Sequence, residues 1–360
     1  MTRAIGVRFG FRSNEVRPMP IARDFFFAAC AALAASSLHA EPAGYRVEAD
    51  VFAREMVERH GFDPVELRGV LADARYSQAI VDAMDRPYEA KPWRDYRALF
   101  ITPERIAGGV AFWRENADLL GRAEAELGIG AAIIVAIIGV ETNYGANPGK
   151  HRVIDALTTL GFAYPRRADF FRRELEAFLL LSREEQLDPA RAVGSYAGAM
   201  GKPQFIASSY RNYAIDFDGD GRRDLLDSNA DVIGSVANYL KQHGWRPGEP
   251  VAFAAELRAG VPAGMTVFEK TPGPPDTTAG ELRAAGVEWR EPLDAAVPVS
   301  LIRLDGVEDE YWIGLENFYA ITRYNHSNLY AMAVFQLGEA IRAGYERSPE
   351  QPPDQPPDQP

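Results

Sequence analysis

Ala131–Gly145 reads AAIIVAIIGVETNYG. Its first ten residues, Ala131–Val140, carry no charged or strongly polar side chain; Glu141 then arrives, followed by Thr142, Asn143, Tyr144 and Gly145. A run this apolar is too short to span a bilayer and reads as a buried core element. Being apolar all round, it offers no periodicity to separate helix from strand. Its Ile and Val favour a strand, whereas its length and the Asn-Tyr-Gly ending favour a helix capped by Gly145. The helix is the expectation. Glutamate is rarely buried without a partner, so Glu141 is either paired or placed for its chemistry. Unpaired carbonyls at a helix C-terminus disfavour negative charge, and partial desolvation acts the same way. Both favour the protonated carboxyl that a general acid needs. An N-cap or salt-bridged glutamate is the competing reading, and this stretch alone leaves the two even.

Around that stretch lie 360 residues, enough for one large domain or two to three small ones. The net charge of −12 argues against a nucleic-acid binder while leaving room for a local basic groove. A single cysteine, Cys30, excludes an intramolecular disulfide framework. The histidines His39, His60, His151, His243 and His326 are scattered without ligand spacing, so neither zinc nor a Cys/His nucleophile is expected. Arg23, the apolar run Phe25–Leu38 and Leu38-His39-Ala40 have the layout of a signal peptide cleaved after Ala40. Asp24 is a blemish in it, and Met19 is an alternative start. Phe27–Cys30 faintly resembles a lipoprotein signal, with Phe for the usual Leu and only five apolar residues before the cysteine. Soluble export is the expectation, and a membrane enters only if Cys30 is lipidated. No other segment has the length and apolarity to cross one.

Helix signals follow. Gly61 closes a helix over Asp50–His60, and Asp63-Pro64-Val65-Glu66 opens the next with an N-cap, a first-turn Pro and a capping-box Glu. Thr102-Pro103 opens a helix running to about Leu127. Between them, Tyr88–Phe100 is an aromatic connector that either lines a groove or packs between helices. Tyr164-Pro165-Arg166-Arg167 leads into an amphipathic helix over Ala168–Leu181. Gly194–Tyr210, GSYAGAMGKPQFIASSY, is no phosphate loop, since no Gly-Lys-Ser/Thr follows. Its glycines permit close backbone approach to a ligand, or simply a tight turn. No organic cofactor is expected.

Asp216–Asp227 reads DFDGDGRRDLLD. Asp216, Asp218 and Asp220 stand at loop positions 1, 3 and 5, and Gly221 at position 6. Arg222 offers its carbonyl at 7, Asp224 stands at 9 and Asp227 at 12. This spacing fits a calcium loop of the EF-hand type, with Asp replacing the bidentate Glu. The carboxylates repel one another unless a cation neutralises them; a solvated acidic turn is the alternative. Ser228–Asp231 reads as a capping box for a helix ending at His243-Gly244. From Pro247 to Asp309 Pro and Gly rise and short β runs appear, one at Val297–Leu304, with another just beyond at Tyr311–Gly314. Tyr319, Tyr324, Asn325 and Tyr330 then cluster ahead of a helix over Leu329–Arg342. Aromatic faces beside amides suit sugar rings, and core packing is an equal alternative. The tail Ser348–Pro360 repeats QPPD and is expected to be disordered.

Seven stretches together resemble the lytic murein transglycosylase B family: IIGVETNYG, YPRRADFF, GSYAGAMGKPQF, SSYRNYAIDFDGDGRRDLLDS, ADVIGSVANYLKQHGW, YWIGLENFYAITRYN and HSNLYAMAVFQL. They fall in order across roughly Tyr45–Ala343. The resemblance implies a lysozyme-like core, Glu141 as the catalytic acid, and substrate contacts at Tyr96, Arg166, Arg167, Ser195, Gln204, Tyr324, Asn325 and Tyr330. It also implies structural calcium held by Asp216, Asp218, Asp220, Arg222 and Asp227. Lys202 stands where the family commonly has an apolar or aromatic residue, and Ile206-Ala207 replaces a common Met-Pro. The implied reaction cleaves the β-1,4 bond between N-acetylmuramic acid and N-acetylglucosamine in peptidoglycan, forming a 1,6-anhydro ring. The implied location is the periplasm, the partner is the glycan strand, and cell-wall synthases or hydrolases are candidate protein partners. A calcium-stabilised peptidoglycan-binding scaffold without activity, or a lysozyme-like hydrolase, is the alternative.

The expected fold is α+β and mostly helical. Residues 1–40 form the signal segment and 41–127 a helical domain joined by the C-terminal helix. The lysozyme-like core takes 128–246 and 310–345, a small β-rich domain takes 247–309, and 346–360 is the tail.

Overall fold

The computed structural model of the chain describes residues 41–85 and 91–347. The signal segment with Cys30 and the Ser348–Pro360 tail lie outside the described residues. Three helices come first: α1 (Tyr45–His60), α2 (Pro64–Asp73) and α3 (Gln78–Met84). Their ends follow the local signals. Gly61 closes α1 in the left-handed conformation, and the Asp63 carboxylate accepts from Val65 and Glu66 N–H with Pro64 in the first turn. The aromatic connector contains a helix of its own, α4 (Trp93–Phe100), which buries Trp93 and Tyr96.

The helix expected from Thr102 to about Leu127 is two helices, α5 (Pro103–Glu115) and α6 (Ala117–Leu127). Asn116 separates them. Its side-chain amide donates to Phe112 O at 2.8 Å, a local bond that competes with helix propagation.

The central run is a helix, α7 (Ala131–Thr142), with every residue from Ala131 to Val140 buried. Each buried Ile or Val contributes roughly 1.5–3 kcal/mol, far more than the few tenths by which β-branching disfavours a helix. It packs against α5, α6 and two later helices, α11 (Asn229–Gln242) and α14 (Asn328–Arg347). The cap differs from expectation. Asn143, not Gly145, takes the left-handed turn after the helix (φ 51°), and Tyr144 follows at φ 62°. Asn adopts this region because its short polar side chain bonds locally.

Two short strands, β1 (His151–Arg152) and β2 (Val193–Gly194), pair antiparallel. Between them run α8 (Val153–Ala163), a 3-10 turn over Pro165–Arg167 and α9 (Ala168–Glu184). α10 (Ala207–Tyr213), the acidic loop and α11 then form a helix–loop–helix. The Pro- and Gly-rich stretch folds into β3 (Ala252–Leu257), β4 (Val267–Phe268), β5 (Thr277–Thr278), α12 (Ala279–Ala284), β6 (Val287–Glu288) and β7 (Pro298–Leu304). With β8 (Glu310–Gly314) these make a sheet of order β4-β7-β8-β3-β6, with β5 on β7. Since β8 lies between β7 and β3, the sheet runs past residue 309 to Gly314. Its own small core gathers Leu282, Val287, Val299, Leu301, Ile313 and Leu315. α13 (Glu316–Thr322) then leads back to α14, which packs on α4, α5 and α7. The architecture is α+β and mostly helical. Among the described residues no single helix is long and apolar enough to cross a membrane.

Candidate active site

Glu141 sits half-buried in the last turn of α7. The Tyr330 hydroxyl, from the first turn of α14, donates to its Oε1 at 2.6 Å. Tyr330 is buried, has Tyr96 close by, and stacks on Tyr324 with ring centroids 6.2 Å apart. The Tyr324 hydroxyl donates to Pro203 O at 2.6 Å. Burial pushes both phenols well above their ordinary range, and the neighbouring Glu141 charge adds to the shift. Both hydroxyls therefore keep their protons, so that Tyr330 has one to give to Glu141.

The turn after Glu141 is held from two sides. Thr142 Oγ1 donates to Lys202 O at 2.8 Å and accepts from Gly145 N at 2.9 Å. Tyr144 folds its ring back against α7, and its hydroxyl donates to Arg105 O at 2.7 Å. A Cβ on Gly139 would lie 2.7 Å from that hydroxyl oxygen. Gly139 is therefore required by close approach within the helix. The Arg105 guanidinium donates to Gly139 O.

The Gly-rich segment closes on itself through bridges of Met200 with Gly194 and Phe205. Ser195 Oγ accepts from Ala197 and Ala199 N–H at 3.3 and 3.0 Å. Gln204, at φ 50°, donates through Nε2 to Pro148 O and Gly201 O, each at 3.0 Å. Thr142–Lys202 and Tyr324–Pro203 tie this segment to Glu141 and to the tyrosines. Asn325 follows Tyr324 directly. The two arginines part company. Arg166 pairs with Asp85 at the end of α3, which also accepts from the Tyr164 hydroxyl at 2.8 Å. Arg167 lies over the Phe170 ring at 4.3 Å.

The acidic loop is organised by its own carboxylates. Asp216 accepts from the N–H groups of Gly219, Asp220 and Gly221, at 2.7, 3.1 and 2.8 Å. Those backbone donors, Gly221 first, hold its carboxyl below the usual range. Asp218 accepts from Ser228 Oγ at 3.0 Å, and Asp220 from Arg222 N at 2.9 Å. Asp224 accepts from Leu226 and Asp227 N–H. The capping box at α11 is half formed. Ser228 caps Asp231 N, but the Asp231 carboxylate turns across the loop to Phe217 N and Asp224 N, both at 2.7 Å. Asp231 is 1% exposed, and burial raises its carboxyl above the usual range. Asp216, Asp218 and Asp231 bring carboxylate oxygens within 4.8 Å of one another. An all-oxygen donor set of this kind fits a hard divalent cation. Asp220, Arg222 and Asp227 stand outside that trio.

Three contributors went unread as site residues: Asp231, Thr142 and Lys202. Lys202 Nζ donates to Asp227 O at 3.0 Å and to Asn229 Oδ1 at 2.7 Å. Its ammonium thus serves the end of the acidic loop.

A mostly helical core that holds one glutamate at the end of a buried helix, gripped by a tyrosine and edged by a Gly-rich turn, defines a lysozyme-like glycan-cleaving enzyme. The chain belongs to the family described as the transglycosylase SLT domain, which it matches over residues 45–339. Across 305 residues it is 48% identical to membrane-bound lytic murein transglycosylase B of Escherichia coli (strain K12), covering 81% of this chain and 82% of that protein. It is similar in structure to soluble lytic transglycosylase SltB1 of Pseudomonas aeruginosa, with TM-score 0.78 and 49% identity over 83% of this chain and 99% of that one. It is also similar to the Escherichia coli lytic transglycosylase Slt35 solved in complex with calcium, with TM-score 0.75 and 46% identity over 83% and 93% of the two chains.

Proposed function

We infer that this murein lytic transglycosylase cleaves the β-1,4 bond between N-acetylmuramic acid and N-acetylglucosamine with Glu141 as its single acid and base. The observation that carries the reading is the Tyr330 hydroxyl on Glu141 Oε1 at 2.6 Å. With Oε1 accepting from a phenol that keeps its proton, the transferable proton is assigned to Oε2. Glu141 gives that proton to the glycosidic oxygen, and the C1–O bond breaks with its electron pair leaving on N-acetylglucosamine. The muramoyl C6 hydroxyl then attacks C1 and returns its proton to Glu141. The product is a 1,6-anhydro ring, and no water is consumed. Most glycosidases need a second carboxylate as nucleophile or base. Here the nucleophile belongs to the substrate and benefits from intramolecular placement. Midway, Glu141 is a carboxylate, and a hydrogen bond to a charged acceptor is roughly twice as strong as a neutral one. Tyr330 thus steadies the intermediate charge as well as the geometry.

Tyr96, Tyr324, Asn325 and Tyr330 supply the aromatic and amide contacts to the sugars, and Ser195 and Gln204 those to the N-acetyl and lactyl groups. Arg166 and Arg167 take lactyl or peptide carboxylates, Arg166 by exchanging Asp85 for the substrate. Asp216, Asp218, Asp220, the Arg222 carbonyl and Asp227 hold calcium in an EF-hand-type loop, with Asp231 bracing it. The calcium-bound Slt35 relative supports calcium as the ion, and Asp216 and Asp218, which share a carboxylate cluster with Asp231, support their own part in this set. The domain division given above, with the β-rich domain extended to Gly314 to take in β8, the signal segment and a periplasmic site of action belong to the same reading, consistent with the membrane-bound relative.

The test is Glu141→Gln with mass spectrometry of digested sacculi. Wild type releases muropeptides one water lighter than hydrolysis products, and the variant releases none. Products with free reducing ends make the chain a hydrolase; binding of sacculi without release by wild type makes it a scaffold.

A further inference from the structure

A hollow of about 720 Å³ opens on the small sheet, over the outward side of β3 and β6. Side chains alternate along a strand. Phe253, Ala255 and Leu257 pack on the sheet's core, which leaves Ala254, Glu256 and Arg258 along the hollow. Glu256 stands directly opposite Glu288 in the β3–β6 register, and like charges so placed repel. Arg258 relieves Glu288 by pairing with it. Among the described residues Glu256 has no such partner. Arg283 lies over the Trp289 ring at 4.3 Å, and neither it nor Arg290 pairs with a carboxylate among the described residues. The Trp289 Nε1–H is buried with no acceptor. A neighbouring hollow of about 680 Å³ shares Ala254 and Glu291 and runs on past Trp312 and Phe335. Phe335 lies five residues beyond Tyr330 on α14, about 140° round the helix. This second hollow therefore opens on a different face of α14 from the one that meets Glu141.

We propose that the hollow over β3 and β6 is a second binding site, for a zwitterionic peptide. Ligand carboxylates meet Arg283 and Arg290, a ligand ammonium meets Glu256, and the peptide lies on the Trp289 face. The indole N–H gains an acceptor as Arg283 swings onto the ligand. The peptide of this charge pattern that a murein-cleaving enzyme meets is the stem carried by its own glycan, an identification that rests on the reading above. Sugars attached to the stem run on along Trp312 and Phe335, whose aromatic faces suit them. The site then grips the strand away from the reacting bond.

The test uses the full chain, labelled with nitrogen-15, and the tripeptide L-alanyl-γ-D-glutamyl-meso-diaminopimelate. The Trp289 indole resonance is assigned by its loss in Trp289→Phe. It is expected to shift saturably with the peptide and to stay still with a peptide whose amines are acetylated and carboxyls amidated. Arg283→Ala with Arg290→Ala weakens the apparent affinity about ten-fold or more, while Glu141→Gln leaves the titration unchanged. An indole resonance unmoved by millimolar peptide, or a titration unaltered by the double substitution, overturns the site. Failure of the Glu141 reading shows instead in the muropeptide masses, with this titration intact.

Discussion

Around Glu141 the chain uses hydrophobic bulk to hold one carboxyl; along Asp216–Asp227 it uses backbone N–H groups to hold a row of them. The first arrangement rests on α7, whose Ala131–Val140 segment is wholly buried, and on single contacts from Tyr330, Thr142 and Tyr144. The second is exposed and carries like charges whose repulsion the backbone donors only partly offset. Packing thus sets the position of Glu141, whereas the loop leans on hydrogen bonds from its own backbone.

Glu141→Gln separates the two regions most sharply. A lone acid and base is expected to carry about 10³–10⁴-fold of the rate, and the variant should lose that in kcat with an unchanged thermal midpoint, read by muropeptide release and calorimetry. A midpoint that falls with the rate would place Glu141 in the architecture instead. Tyr330→Phe keeps the ring and removes the hydroxyl. We expect kcat to fall about 10–100-fold, the equivalent of roughly 1.4–2.8 kcal/mol, with KM little changed. Removal of calcium should do the reverse of Glu141→Gln. At 100 times the dissociation constant a bound ion stabilises by about 2.7 kcal/mol, so chelation should lower the melting temperature by a few degrees and leave the chemical step intact at low temperature. Asp216→Ala should abolish that response. If neither chelator nor substitution moves the midpoint, the loop is a solvated turn.

The smallest effect is expected at the end of α11. His243 stacks on Tyr239 with ring centroids 4.0 Å apart, and its Nδ1 meets Tyr239 O at 2.7 Å. Burial holds its pKa below the ordinary 6.5. The unfolded chain then binds the proton more readily, so the contribution is complete above 6.5 and is lost as pH falls through 6.5 toward the folded value. His243→Gln should flatten the slope of melting temperature against pH in that window.

The features that were legible in the sequence are those fixed by neighbours along the chain. Gly61, Asp63 and Pro64 mark their helix ends by local geometry, and the strands near Val297–Leu304 and Tyr311–Gly314 fall within a residue of expectation. The greasy run was a helix, because burial on every side outweighs β propensity. Asn116 escaped notice, since an Asn within a helical pattern announces a break only when its side chain turns back on the backbone. Asp231 reads locally as a capping residue. Its bonds to Phe217 and Asp224 exist only once α11 folds over the loop. The Thr142–Lys202 contact joins positions 60 residues apart, and no spacing rule reaches that far.

The Tyr330–Glu141 hydrogen bond spans 189 positions of the chain. One partner ends the central helix and the other begins the last helix of the described residues. A nascent chain in which α14 has not yet emerged therefore carries Glu141 without the phenol that meets it, so the pair forms only after the whole stretch between them has been made.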